Sequence, residues 1–187
     1  QIEFVSANPT GPLHVGHGRG AAYGDALARI LSATGSNVEK EYYVNDAGRQ
    51  IDILSASVIM KMYESDNNFF PQNAYKGKYI EDLGKKILEK DNFNLIIDKS
   101  ILDSLSKDPE KEIDEIISYL KNHCQEGWET VKDFSLKSII KDIKNDLRSF
   151  NVEFNNWFYE SSLGSLDDSK SEISVAINRL EENKQAY

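Results

Sequence analysis

Two histidines and a glycine near the start of the chain have the spacing of a phosphate-binding turn. His14 and His17 lie three residues apart, so both imidazole rings emerge on the same face of an opening helical turn. Gly16 between them carries no side chain, which lets a flat ring or a backbone approach closely. A helix N-terminus favours negative charge. The pattern predicts a site for a triphosphate and a purine, in which the histidines stabilise charge that develops during attack at the α-phosphorus.

A His-x-Gly-His quartet also arises by chance, and a lone one is more often structural than functional. Its context favours function here, because the quartet follows an apolar strand, a turn and two prolines, Pro9 and Pro12. It also opens the first helix of a βαβα unit, in the region where open parallel sheets bind their ligands. We therefore interpret the paired histidines as a nucleotide site.

The elements that must position these residues follow from the hydrophobic pattern. Residues 2–6 predict an apolar strand, and residues 38–44 predict a second one. Helices are predicted over 13–34, ending at Gly35, and over 51–62. This alternation predicts parallel strands joined by right-handed crossovers. The apolar and small residues that fall on one side of the first helix are Leu13, Gly16, Gly20, Tyr23, Leu27, Ile30 and Leu31.

The chain changes character after residue 64. A polar, Asn-rich stretch containing Pro71 predicts an exit from the sheet layer. Residues 79–150 have helical spacing, residues 152–154 are a candidate strand returning to the sheet, and residues 171–184 predict a last amphipathic helix. We therefore expect three parts. These are a first βαβα half over 1–64, a helical insertion over 65–150, and a return segment over 151–187 towards a second half.

The bulk composition excludes several classes of protein. The chain has 187 residues, enough for one domain or one domain with a large insertion. A net charge of −9 argues against binding nucleic acid over the whole surface but leaves room for a local basic strip. Cys124 is the single cysteine, so an internal disulfide is excluded and a reduced, cytoplasmic setting is expected. No membrane-span or signal-peptide pattern is present, and both ends look cut, so we expect a segment of something longer.

The stretch from Ala7 to His17 resembles the HIGH-type signature of class I aminoacyl-tRNA synthetases. Its long form, which begins at Ser6, resembles the arginyl enzymes in particular. The resemblance implies an α/β fold, the N-terminal half of a Rossmann-like class I synthetase catalytic domain with a largely helical insertion. Residues 85–145 match only as an acidic helical insertion. The other segments that resemble arginyl sequences in order and spacing are 18–20, 23–25, 41–48 with Gln50, 75–79 and 160–163.

The resemblance also implies roles for particular residues. His14 and His17 correspond to the catalytic positions. The implied ATP-binding residues are Pro9, Thr10, Gly11, His14, Gly16 and His17. The implied arginine-binding residues are Ser6, Asn8, His17 and Asn45.

Several of the polar residues have a structural alternative. Ser6 and Asn8 lie in a loop of the kind where short polar side chains often cap a helix or a turn. Asp46 suits N-capping of the following helix as well as the ligand-binding edge of the sheet. Tyr23 and Asp25 are interpreted as a packing residue and a charge on a helix face.

The implied activity is that of an arginine--tRNA ligase, which forms arginyl-adenylate from ATP and arginine and then charges tRNA. ATP would be a substrate accompanied by Mg²⁺, with no fixed metal site, and the enzyme would be a cytoplasmic monomer. In this family a Tyr and an Asp of the second half bind the guanidinium, and a Lys-Met-Ser-Lys-Ser-like loop holds pyrophosphate. The chain lacks these features and the tRNA-binding domains, so we expect it to complete neither step alone.

Two alternatives remain open at the level of sequence. Small nucleotidyltransferases also use His-x-Gly-His, but they have a Gly-x-Phe-Asp-Pro-like turn where this chain has Asn-Pro-Thr-Gly-Pro, and they lack so large a helical insertion. The other alternative is a non-catalytic, acidic helical interaction module with incidental histidines. Protection from thermal unfolding by ATP, removed by His17→Ala, would distinguish it from a nucleotide site.

Overall fold

The computed structural model describes residues 1–67, 69–89, 93, 95–98, 100–165 and 167–185. None of the described helices is long and apolar enough to cross a membrane. Two compact units are present; the first comprises Gln1–Asn8, Leu13–Ala47 and Asp146–Tyr187, and the second comprises Pro9–Pro12 and Gly48–Asn145. The elements in chain order are β1 (Ile2–Glu3), α1 (Val15–Ala33), β2 (Lys40–Val44), α2 (Arg49–Asn67), α3 (Lys78–Leu88), α4 (Ser100–Ser104), α5 (Pro109–His123), α6 (Gln125–Ser149), β3 (Asn156–Tyr159), a 3-10 turn (Glu160–Leu163) and α7 (Glu172–Glu182).

The first unit contains a three-stranded parallel sheet in the order β1-β2-β3. The α/β class and the parallel pairing predicted from the sequence are confirmed. The prediction of a strand at 152–154 is wrong, because the pairing of β3 with β2 begins later in the chain. It begins where Asn155 forms two hydrogen bonds of 2.9 Å with the backbone of Lys40. Phe154 instead packs its ring against Phe4, with the centroids 4.5 Å apart.

Helix α1 packs through small residues rather than through its large apolar ones. Its buried positions include Ala21, Gly24 and Ala28. A Cβ on Gly24 would lie 2.2 Å from Cγ of Phe4, so glycine allows the helix and the first strand to approach. The exposed apolar side chains of α1 are Val15, Tyr23, Leu27, Ile30 and Leu31.

The interpretations of Tyr23 and Asp25 are both wrong. Tyr23 is 74% exposed, whereas Asp25 is only 7% exposed. The Asp25 carboxylate accepts a hydrogen bond from Nε of Arg29 and another from Nζ of Lys40, the latter at 3.0 Å. A buried carboxylate requires such partners, because desolvation of an unpaired charge is costly.

The second unit is a helical assembly in which α2 packs against α3 and α5. Two serines of α2 are fully buried, and each donates its hydroxyl to a carbonyl one turn earlier: Ser55 to Ile51 at 2.9 Å and Ser57 to Ile53 at 2.6 Å. Within the described residues, the buried Oγ of Ser135 has no hydrogen-bond partner. The fully buried side chains of this unit include Leu54, Ile59, Ile80, Ile113, Leu120 and Trp128.

Candidate nucleotide and amino-acid site

The turn that follows β1 is strained. Val5 and Ser6 have φ values of 65° and 37°, the left-handed region that favours glycine. The Ser6 N–H donates to the Phe4 carbonyl at 3.0 Å, which closes a γ-turn of the rare positive-φ form around Val5. A β-branched residue in this conformation costs roughly 1–3 kcal/mol, and such strain concentrates at functional sites.

Hydrogen bonds to β2 hold this strained turn in place. The Ser6 hydroxyl oxygen accepts from the backbone N–H of Tyr43 at 3.1 Å. The Tyr42 hydroxyl donates to the carbonyl of Ala7 at 3.0 Å, and burial raises the pKa of that hydroxyl to about 12. Ser6 therefore has a structural bond at the end of the first strand, where the sequence predicts an arginine-binding side chain.

His14 and His17 cap the N-terminus of α1. His14 is the N-cap, and its Nδ1 accepts from the N–H of Gly16 at 3.1 Å. His17 Nδ1 accepts in turn from the N–H of His14 at 3.2 Å, which completes a reciprocal capping box. The two rings stack with centroids 3.7 Å apart and an interplanar angle of 22°. A Cβ on Gly16 would lie 2.9 Å from Cε1 of His14, so the capping ring occupies the space beside that glycine.

These hydrogen bonds assign the tautomers of the two histidines. A neutral imidazole that accepts through Nδ1 must carry its proton on Nε2. Burial, and then repulsion from His14, lower the pKa of His17, so its neutral form is favoured. Each ring is thereby left with one N–H donor, on Nε2. The N-terminal end of α1 adds its dipole, which favours an anion beside these donors.

A second polar group lies where β2 and β3 end. The Tyr43 hydroxyl donates to Oε2 of Glu160 at 3.0 Å, and the Asn45 amide, oriented to satisfy both of its polar atoms, donates to the same oxygen at 3.1 Å. The carboxylate of Asp46 accepts from the N–H of Ser161 at 2.8 Å and from its hydroxyl, at the 3-10 turn rather than at the first turn of α2. Burial, and then the bond to Glu160, raise the pKa of Tyr43.

Glu160 was missed as a site residue by the sequence reasoning. The signal that could have found it is positional, because Glu160 directly follows β3, and the carboxyl ends of parallel strands meet at one edge of a sheet. Misplacing β3 at 152–154 removed that signal.

The predicted ATP-binding residues Pro9, Thr10 and Gly11 belong to the second unit. Pro9 is buried there, and the Thr10 carbonyl accepts a hydrogen bond from the Tyr79 hydroxyl at 2.9 Å. Asn8, predicted to bind arginine, is the last residue of the first segment of the first unit and is exposed.

In this chain the first strand of a parallel sheet leads to a helix whose N-terminus is capped by the His-x-Gly-His turn. This arrangement is the one expected of a class I synthetase catalytic domain. The family described as tRNA synthetases class I (R), catalytic domain, matches residues 1–170, and the chain belongs to this family.

Curated relatives with the name arginine--tRNA ligase are similar over most of the chain. The protein from Vesicomyosocius okutanii is 50% identical over 173 residues, which are 87% of this chain and 29% of that protein. The protein from Acinetobacter baumannii (strain AYE) is 44% identical over 190 residues, 90% of this chain and 32% of that protein. The chain therefore spans about a third of the length of the curated relatives it matches.

Solved structures agree on the fold. A chain described as an arginyl-tRNA synthetase of Campylobacter jejuni superposes with a TM-score of 0.68 and 32% identity, covering 97% of this chain and 34% of that one. The arginyl-tRNA synthetase of Thermus thermophilus gives a TM-score of 0.54 over 97% of this chain and 26% of that one. At 21% identity, the second likeness concerns the fold alone.

Proposed function

We propose that this chain forms the ATP- and arginine-binding part of an arginine--tRNA ligase. The observation that carries the proposal is the reciprocal cap of His14 and His17, which directs the proton of each ring to Nε2 at the N-terminus of α1. The relatives named arginine--tRNA ligase support the choice of amino acid. The proposed ATP-binding residues are Pro9, Thr10, Gly11, His14, Gly16 and His17, and the proposed arginine-binding residues are Ser6, Asn8, His17 and Asn45.

The proposed reaction step is attack by the carboxylate of arginine on the α-phosphorus of ATP. An oxygen–phosphorus bond forms to the carboxylate, and the bond from the α-phosphorus to the leaving pyrophosphate breaks. His14 and His17 act electrostatically, because their Nε2–H groups donate to oxygens whose negative charge grows in the transition state. Mg²⁺ would enter with ATP as part of the substrate. No covalent intermediate with the chain is required.

At the arginine end, short polar side chains suit the α-amino and carboxylate groups. Ser6 and Asn45 lie at the carboxyl ends of β1 and β2, the edge where parallel sheets of this class bind ligands. The Asn45 amide donates to Oε2 of Glu160 and to the carbonyl of Ala47, each at 3.1 Å, so it is held by two neighbours in the same unit. A fixed amide loses little entropy when a substrate binds.

The proposal for the whole protein extends beyond this chain. Arginyl-adenylate would be formed first, and the arginyl group would then be transferred to the 3′ end of tRNA(Arg) by a cytoplasmic, monomeric enzyme. Residues 65–150 would be a helical insertion between residues 1–64 and the return segment 151–187. The chain alone is expected to bind nucleotide without completing either step.

The test of the proposal is protection from thermal unfolding by MgATP. A ligand that binds the folded state raises the unfolding temperature in proportion to the logarithm of its concentration. We expect protection of the wild-type chain, and its loss in His17→Ala. His123→Ala is a matched control, because this imidazole stacks on Tyr119 of the second unit, with centroids 4.6 Å apart, outside the proposed site. Equal protection of wild type and His17→Ala would reject the nucleotide site.

The same preparation separates the alternative functions. A helical interaction module would show no protection by MgATP at any concentration. A nucleotidyltransferase would bind MgATP but would be indifferent to arginine. We expect arginine to increase the protection given by a non-hydrolysable ATP analogue, because both ligands would occupy adjacent positions in an arginine-activating site.

A further inference from the structure

The segment Tyr75-Lys76-Gly77-Lys78-Tyr79 resembles arginyl sequences, yet the proposed chemistry leaves it without a role. Its first residue is anchored to α2, because the N–H of Tyr75 donates to Oγ of Ser57 at 2.8 Å. Gly77 is the N-cap of α3, with a φ of 144° that favours glycine. The segment therefore leads from a fixed backbone point into the first turn of α3, where Tyr79 lies.

Tyr79 makes two contacts with one short stretch of backbone. Its hydroxyl donates to the carbonyl of Thr10 at 2.9 Å. Its ring also fills the space beside Gly11, since a Cβ on Gly11 would lie 3.3 Å from both Cζ and Oη of Tyr79. Burial raises the pKa of the hydroxyl, which keeps it protonated and able to donate. All of these residues belong to the second unit.

The sequence around Thr10 and Gly11 explains why such an anchor matters. The prolines at positions 9 and 12 have a fixed φ and no N–H. The conformational freedom of the loop is therefore concentrated in Thr10 and Gly11, and glycine is the most permissive residue in the chain. Tyr79 restrains both, the first by a hydrogen bond and the second by contact.

We propose that Tyr79 is a positioning residue that holds the Thr10–Gly11 backbone in the conformation that binds ATP. This inference rests on the proposed function, because Thr10 and Gly11 are among the proposed ATP-binding residues. Tyr79 itself would not touch the nucleotide. Its effect is to keep the loop ordered before ATP arrives, which lowers the entropy lost on binding.

The experiment compares Tyr79→Phe with Tyr75→Phe in the full 187-residue chain. Tyr79→Phe removes the donor to Thr10 and preserves the ring. Tyr75→Phe is the matched control, because the bond from Tyr75 to Ser57 uses the backbone N–H and survives the change. Two quantities are measured in each: the ¹⁵N relaxation order parameters of the Thr10 and Gly11 amides, and the dissociation constant of MgATP.

We expect Tyr79→Phe to lower both order parameters and to weaken MgATP binding by roughly threefold to tenfold, the range for loss of one neutral hydrogen bond. Tyr75→Phe should change neither quantity. Order parameters that are unchanged in Tyr79→Phe would overturn the proposal, and so would lowered order parameters with unchanged MgATP affinity. If the wild-type chain binds no MgATP, the proposed function fails, and the order parameters alone still decide whether Tyr79 anchors the loop.

Gly11→Ala supplies a second variant that keeps the hydroxyl. Its added methyl would crowd the Tyr79 ring at 3.3 Å, so the loop must move by a few tenths of an ångström. We expect weaker MgATP binding in Gly11→Ala. We also expect the double variant Gly11→Ala/Tyr79→Phe to lose less MgATP affinity than the product of the fold-losses of the two single variants. The two substitutions act on the same contact, so their effects should not be independent. A multiplicative combination would argue against a shared contact.

Discussion

The imidazole rings of His14 and His17 lie face to face, and each accepts a backbone hydrogen bond of the same capping box. Burial is the larger cause that lowers the pKa of His17 below its ordinary value of 6.5, and repulsion from His14 is the smaller. Replacing His14 by Asn should therefore raise the pKa of His17 only part of the way back. The measurement is an NMR titration of the His17 Cε1–H signal. A further fall of the pKa in this variant would contradict the assignment.

The same pKa shift determines the direction of a pH effect on stability. His17 binds a proton less readily in the folded chain than in the unfolded chain. Its contribution to the free energy of unfolding is therefore fully present above pH 6.5. That contribution is lost as the pH falls from 6.5 through the lowered folded pKa. The wild-type unfolding temperature should decline more steeply than that of His17→Asn in this window, and identical slopes would show that His17 does not contribute.

Two glycines of α1 should respond oppositely to alanine. Gly24→Ala places a Cβ 2.2 Å from the ring of Phe4, and such overpacking should destabilise the chain by about 1–3 kcal/mol. Gly20→Ala meets nothing within 4 Å, and alanine favours a helix interior over glycine by roughly 0.5–1 kcal/mol. Urea unfolding of the two variants measures both free energies. Equal effects would show that α1 does not pack on Phe4.

The ion pairs of Asp25 should contribute more to the free energy of unfolding than ion pairs on the surface. Burial opposes ionisation of Asp25, but the hydrogen bonds from Arg29 and Lys40 outweigh it and lower its pKa. Asp25→Asn should cost about 1–3 kcal/mol, because two cations lose a buried partner. This stability is present above the ordinary carboxyl pKa of 3.8 and is lost as the pH falls through the lowered value.

The control for Asp25 is an exposed pair on α6. Asp133 and Lys137 form an ion pair of 2.7 Å with side chains 62% and 74% exposed. Asp133→Asn should change the free energy of unfolding by less than about 0.5 kcal/mol, since exposed pairs are screened by water and salt. A loss as large as that of Asp25→Asn would mean that burial does not distinguish the two carboxylates.

Replacing two buried serines by alanine should change the free energy of unfolding by different amounts. Ser57 donates to the Ile53 carbonyl and accepts from the Tyr75 N–H, so Ser57→Ala leaves both groups without their partner and should cost about 1–3 kcal/mol. The Ser135 hydroxyl has no partner among the described residues, and Ser135→Ala should be neutral or stabilising. Thermal and urea unfolding compare the two. A Ser135→Ala chain as unstable as Ser57→Ala would contradict this prediction.

The sequence by itself was sufficient for the order of elements, the parallel sheet and the common face of His14 and His17. These follow from local rules, since strand and helix periods appear within a few residues and a spacing of three places two side chains together. The cap at His14 was not predicted, and the helix begins at Val15 rather than at residue 13, although the bonds of the cap join residues only two and three positions apart.

Other features were decided only by the tertiary structure, because they depend on contacts between residues distant in sequence. The large apolar residues of α1 suggested one face, but the close approach of Phe4 selected the small face around Gly24. The start of β3 depends on Asn155 meeting Lys40, 115 residues earlier. No local propensity favours a left-handed backbone at Val5. None predicts the hydrogen bond between Tyr79 and Thr10, which are 69 positions apart in sequence. Both require partners that only the folded chain brings together.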